Sequence, residues 1–301
     1  MRKKVHDPST LYLWQWRMFG EACIELSKDN PDIATRLNLI MWLRRAADTQ
    51  DFEVSSRYYD VLYGYLTDQN SRVRQLSALL CTDPNSPELS TDMIQPLLDD
   101  PNQRVREYAI AALGVLAKHS SAPFTSLLTA LEHDDDEVRR RAVIGLLQME
   151  HYGHAPEDIF DRFVELYEND SSVAVQGQAL NAIFNSKLQR EQLAAFMRSA
   201  IIHPEEEIRL GAISTLSGIE PVEEALYLEI ALVGLQDESK KVHRRACYIL
   251  RHEIDTELLR PHLDLLKTLA TDENQDCREA AEFHLSRLSE GIDESTENPH
   301  D

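Results

Sequence analysis

Histidine, cysteine and carboxylate are the residue types in this 301-residue chain that could ligate a metal or move a proton, so their spacing is a first test of chemistry. His151 and His154 form an H-x-x-H pair that a helix would set one turn apart, a spacing that holds zinc when further ligands converge. Gly153 and Pro156 stand among them and no cysteine is near, so the pair reads as surface-loop histidines. A single His-Glu dipeptide occurs, His252-Glu253. The four cysteines, Cys23, Cys81, Cys247 and Cys277, never fall as C-x-x-C, and three sit inside helical patterns; they read as buried reduced thiols. There is no G-x-S-x-G, phosphate-binding Walker loop, H-E-x-x-H or G-x-G-x-x-G. Carboxylate pairs abound, but among 52 Asp plus Glu their presence is uninformative. The residues name no catalytic group, no cofactor and no metal, and the chain reads as non-enzymatic.

Charge is the stronger signal. Against those 52 acids stand 31 Lys plus Arg, a formal net charge of −21. A protein that coats phosphate backbones needs a basic stripe, so nucleic acid is excluded as the expected partner and a basic protein is favoured. The acidity is concentrated: 12 acids and 4 bases lie in 129–170, 9 and 2 in 200–240, and 10 and 2 from 272 to the end. Two clusters exceed what helix capping needs, Asp134, Asp135, Asp136 and Glu137, and Glu205, Glu206 and Glu207. These are the candidate partner-binding residues, since complementary charge accelerates encounter. Trp14 and Trp16 are added as aromatic hot-spot candidates.

The elements that must carry these residues are read from periodicity. An anchor residue recurs at Val73, Val105, Val138, Val173, Ile208, Val242 and Cys277, at steps of 32 to 35. The next residue is Arg in five of the seven cases, with Ala174 and His243 as the exceptions. Four positions after the anchor comes a small residue (Ala109, Ala142, Gly177, Ala212, Ala246, Ala281), and then a Leu; the spacing places all three on one helix face. A second apolar-periodic segment precedes each such helix across a short acidic turn, so the unit is a helix hairpin of about 34 residues. Residues 1–66 differ, holding 10 of 21 aromatics and all three Trp, and predict three helices that cap the array. Residues 289–301 are acidic without apolar periodicity and predict a disordered tail. The expectation is an all-α chain: a cap at 1–66, an α-solenoid of about seven hairpins at 67–288, and the tail. No apolar run of about 18 residues occurs and the basic start is spoiled by Gln15 and Arg17, so neither a membrane span nor a signal peptide is predicted.

Over residues 60–290 the pattern resembles the HEAT-repeat family. The resemblance implies a ladder of turn Asp and helix Arg between repeats, with Asp68/Arg74, Asp100/Arg106 and Asp272/Arg278 at the matching positions, Asp237/His243 as a variant, and a gap where Ala174 and Gly177 stand. The repeat-built di-iron hydroxylases carry several His-Glu dipeptides, and one cannot assemble their centre; the HEAT-like glycosylases need a cationic groove. A tetrapyrrole lyase has no positive support. A second resemblance rests on D-P-S-T-L-Y-L-W-Q-W near the start, D-N-P-D-I-A-T-R-L-N-L-I-M-W-L-R-R-A-A-D-T-Q, and L-C-T-D-P-N-S at 80–86. These stretches resemble a bacterial HEAT-repeat immunity protein encoded beside Rhs-type polymorphic toxins. That resemblance implies a protein that binds and blocks the toxic C-terminal domain of its cognate toxin, a basic nuclease in many such systems; reduced thiols without a signal peptide predict a cytoplasmic protein, expected to be monomeric when free. A general protein-protein scaffold is the alternative.

Overall fold

The computed structural model describes residues 13–29, 31–48, 52–83, 89–156, 158–186, 190–216 and 224–296. Among them every regular element is helical. The chain divides into two compact units, Met1–Ile159 and Phe160–Asp301, a division that falls inside the predicted repeat array.

The first unit holds α1 (Leu13–Ser27), α2 (Ile33–Ala47), α3 (Phe52–Gly64), α4 (Ser71–Leu80), α5 (Thr91–Ile94), α6 (Gln103–Ala117), α7 (Phe124–Ala130) and α8 (Asp136–His151). Neighbours pack in order, α1 on α2, α2 on α3 and on α4, then α4 on α6 and α6 on α8, so each hairpin leans on the next. Its N-terminal aromatics face inward: Tyr58, Tyr59 and Tyr63 are buried, and Phe19 meets Trp42 edge-on at 5.5 Å. Gly20 lies against Tyr58 so closely that a Cβ there would fall 2.4 Å from the ring, and the Tyr58 hydroxyl donates to the Arg17 carbonyl. Asp32 caps α2 by accepting from the Thr35 N–H.

In the second unit α9 (which begins at the boundary, Ile159–Asn169), α10 (Val173–Asn185), α11 (Arg190–Ile201), α12 (Glu206–Leu216), α13 (Glu224–Gly234), α14 (Lys240–Glu253), α15 (Leu263–Leu269) and α16 (Gln275–Thr296) repeat the plan. α10 packs on α12, α12 on α14 and α14 on α16. Phe196 of α11 receives Phe160 and Tyr167 of α9 edge-on. A Cβ on Gly234 would lie 3.0 Å from that of Ala246, which is the close approach of α13 and α14 that the small mid-face residues permit. The last helix continues past position 289, and its side chains from 290 onward lie outside the described residues. Each unit is thus an all-α stack of helix hairpins of the α-solenoid type.

The anchors are buried as the periodicity requires, with one exception. Val73, Val105, Val138, Ile208, Val242 and Cys277 are at most 1% exposed, but Val173 is only half-buried. Val175 takes its place at 0%, with Ala179 as the small residue four positions on. The predicted register of that repeat is therefore shifted by two. With Val175 as the anchor the flanking steps become about 37 and 33, an inequality that the choice of Val173 had concealed.

Candidate partner-binding surface

Each repeat turn is built by one residue that does several jobs. Asp68, Asp100, Asp170, Asp237 and Asp272 each accept from the backbone N–H two residues on, at 2.7–2.8 Å, and His133 and His203 do the same with Nδ1. Six residues after that position the helix supplies Arg74, Arg106, Arg139, Arg209 or Arg278, whose Nη1 donates back to the turn carbonyl at 2.7–2.9 Å. In the shifted repeat Gln176 stands at that position and donates to the Asp170 carbonyl at 2.9 Å, so the gap expected at Ala174 is closed by an amide.

For Arg74, Arg106 and Arg209, and for Arg36 and His243, a carboxylate partner comes from the next repeat. Arg36 pairs with Asp68 at 2.8 Å, Arg74 with Asp100 at 2.6 Å, Arg106 with Asp135 at 3.0 Å, Arg209 with Asp237 at 2.7 Å, and His243 with Asp272 at 3.2 Å. The position-matched pairs Asp68/Arg74 and Asp100/Arg106 therefore meet through a backbone carbonyl, and the charge pairing steps one repeat along. Arg36 extends the ladder into α2, inside the stretch the sequence assigns to a cap.

This decides which acids are already committed. Asp135 caps α8 through the Glu137 N–H and takes Arg106. Glu137 pairs with Arg140 and Arg141 at 2.7 and 2.6 Å, which holds its carboxyl below the ordinary range through the Arg140 hydrogen bond first. Glu206 pairs with Lys241 at 2.9 Å, and that hydrogen bond lowers its pKa too. Asp134, Asp136, Glu205 and Glu207 are exposed. No ion pair involves Asp134, Glu205 or Glu207 among the described residues. Trp14 and Trp16 lie on α1 with side chains outside the described residues. The two acidic clusters belong to different units.

The ladder carboxylates make the fold sensitive to acid. Burial works to raise the pKa of Asp100, Asp135 and Asp237; the Arg hydrogen bond, the turn N–H and the nearby Arg charges together outweigh it and leave each below its ordinary value. A depressed carboxyl contributes stability that is whole above the unfolded value of about 4 and is lost as pH falls through the folded value. The urea midpoint should accordingly be flat near neutrality and fall steeply below about pH 4. An Asp100→Asn variant should show a shallower acid limb, and an identical limb would place the acid sensitivity elsewhere.

Two features escaped the sequence. Cys247 of α14 and Cys277 of α16 form a disulfide, with Cα atoms 5.0 Å apart, which corrects the reading of four reduced thiols. Because α14 and α16 pack side by side, the anchor position of one faces the residue beside the small Ala246 of the other. Cys23 and Cys81 are free and buried, and burial pushes both thiols up to about 12. The second feature is a groove of about 370 Å³ along α14, whose lining includes Lys241, Arg244, Arg245, Tyr248, Arg251 and His252. Arg245 stacks over the exposed Tyr248 ring at 4.7 Å. The block charges of 200–240 and 272–301 surround this basic helix and hid it. His151 and His154 end α8 and enter the following loop, with His151 against Tyr152, and neither belongs to the one convergent His/Cys group found among the described residues.

No helix among the described residues is long and apolar enough to cross a membrane. No curated protein matches the chain in sequence. Among solved structures, the X-ray structure of the E. coli protein YibA is similar at 16% identity, covering 89% of this chain and 96% of that one, with a TM-score of 0.52. A chain of the structure of Kap95p bound to RanGDP is similar at 14% identity and a TM-score of 0.54, over 89% of this chain; the match spans 41% of that longer chain. At such identities these likenesses show the fold alone. Residues 90–159 match the sequence model of a family described as HEAT repeats. Rungs pairing a basic side chain with a carboxylate occur in each unit, from Arg36–Asp68 in the first to His243–Asp272 in the second, so they lie to either side of that match. Residues 90–159 are thus similar to HEAT repeats, and helix hairpins lie on both sides of them.

Proposed function

We propose that this chain is a non-catalytic protein-binding α-solenoid, and in its finer form an immunity protein that binds and neutralises the toxic C-terminal domain of a cognate Rhs-type toxin. The carrying observation is the sorting of the turn acids. Asp135, Glu137 and Glu206 are used inside the fold, whereas Asp134 and Glu205 in the turns and Glu207 at the start of α12 are exposed with no ion pair of their own among the described residues. Charge that does nothing for the fold is available to steer and hold a basic domain. The resemblance carried by residues 7–86 supplies the toxin; Kap95p, a structural neighbour, binds RanGDP. Trp14 and Trp16 remain part of this proposal as aromatic anchors. A second reading is favoured by the groove on α14: a scaffold that seats an extended acidic segment on the exposed Arg244, beside the Tyr248 ring.

Charge reversal separates the two. Asp134→Lys with Glu205→Lys and Glu207→Lys leaves every ladder rung intact. It should slow association with the toxin domain by about 10-fold at low salt and flatten the salt dependence, with little change in dissociation. Unchanged association with those three reversed, together with loss of binding in Arg244→Glu, would move the interface to the α14 groove.

A further inference from the structure

We propose that His243, Cys247, Asp272 and Cys277 form a zinc-type metal site that assembles when the Cys247–Cys277 disulfide is reduced. His243 and Cys247 are four residues apart on α14, hence on one face, while Asp272 opens the turn before α16 and Cys277 lies buried in that helix's first turn. The ligand atoms of His243, Cys247 and Cys277 all lie within 4.8 Å of one another. Two sulfurs and an imidazole, with a carboxylate beside them, are the donor set zinc takes.

His243 carries the argument. Its Nδ1 lies 2.8 Å from the Leu235 carbonyl, to which an N–H at that nitrogen donates. This is the second-sphere contact that fixes a ligand histidine with its other nitrogen forward. Nε2 is buried and has no hydrogen-bond partner. It faces Asp272 Oδ2 at 3.2 Å, so an imidazole nitrogen and a carboxylate oxygen stand side by side next to the two sulfurs. For ligands at about 2.1 Å from a tetrahedral ion, the edge between a nitrogen and an oxygen is roughly 3.4 Å, close to the separation found here. At the other rungs the same place is filled by a guanidinium, a permanent cation: Arg74, Arg106, Arg209. Only here is it an imidazole, and only here do two cysteines stand beside it.

The two states exchange by a balanced step. An external dithiol transfers two electrons and two protons to Cys247–Cys277, giving two thiols while the dithiol closes to its own disulfide. The metal then displaces the two thiol protons to solvent and holds two thiolates. The sulfurs part to roughly 3.8 Å, the edge expected for metal–sulfur bonds of about 2.3 Å. Disulfides persist in oxidising compartments and are rare where thiols are kept reduced, so the pair is crosslink in one setting and ligand in the other.

The test uses the full chain and Co²⁺ as the probe. Protein reduced with dithiothreitol and desalted anaerobically should bind one equivalent, with a sulfur-to-cobalt charge-transfer band and the visible bands of tetrahedral cobalt. Zn²⁺ should bleach both, and oxidised protein should show neither. His243→Arg restores the residue used at the other rungs, and so keeps the fold while removing the nitrogen ligand. It should weaken cobalt binding by at least about 100-fold, more than loss of an outer-sphere partner typically costs. Cys23→Ser with Cys81→Ser should change nothing. Reduced, folded protein without the charge-transfer band would overturn the site, leaving His243 as a rung of the ladder alone. Cobalt binding undiminished in His243→Arg would overturn it as well.

Discussion

Replacing Arg74 by alanine should destabilise the first unit by about 3 kcal/mol, the lower end of the cost of stripping one partner from a buried ion pair. The magnitude follows from where the pair sits. The Asp100 side chain is 5% exposed and that of Arg74 13%, so the carboxylate left behind cannot recover its hydration. Arg74 also satisfies the carbonyls of Asp68 and Gln69, which would lose a donor in the same change. Asp100 keeps the Asn102 N–H, and that retained bond is why the lower end of the range is expected. The double variant Arg74→Ala, Asp100→Ala should cost clearly less than the two single changes added together, because it leaves no orphaned charge. Equilibrium urea unfolding measures all three. A cost below about 1 kcal/mol for Arg74→Ala would rank the ladder with solvent-exposed pairs, which contribute about that much or less.

Opening the Cys247–Cys277 disulfide should cost the second unit about 3 to 4 kcal/mol, the loop-closure value for a crosslink spanning this stretch. The cysteines are 30 residues apart, and the bridge ties α14 to α16 directly. Cys277→Ser, or dithiothreitol in the presence of a chelator, should lower the urea midpoint of the second unit and leave the first unchanged. Thiol titration in denaturant should count two thiols before reduction, from Cys23 and Cys81, and four after it. Equal stability of the oxidised and reduced chains would show that α14 and α16 hold together without the crosslink. Added Zn²⁺ should return part of the loss only in the reduced chain, since a ligand of the folded state stabilises it by mass action.

Periodicity made the helix hairpins legible because anchor, small residue and Leu recur on one face, and burial of that face is what folds the unit. It misread the fourth repeat for a physical reason. Val173, Ala174 and Gly177 satisfy the pattern of sizes, but Val175 and Gln176 satisfy the packing, and only the neighbouring helix decides between them. The turn acids were legible as a class and not as individuals. Sequence cannot distinguish Asp134 from Asp135, adjacent and chemically identical, yet one projects from the turn and the other takes Arg106 from the preceding repeat. The same blindness covered the cysteines. Cys247 and Cys277 lie far apart in the chain, without a motif, and meet because successive inner helices stack. The basic groove on α14 was averaged away, since charge counted in blocks along the chain takes no account of a helix face.

The central claim is that this chain receives a basic toxin domain on acids its own fold leaves unused. Its most direct test is a pull-down of the tagged chain from its native cells, with captured proteins identified by mass spectrometry and the growth of cells co-expressing the captured domain measured. The account predicts recovery of the C-terminal domain of an Rhs-type toxin and restored growth with the wild-type chain. Reversal of Asp134, Glu205 and Glu207 should weaken that protection. Recovery of housekeeping proteins alone, with no Rhs-type toxin domain among them, would contradict it.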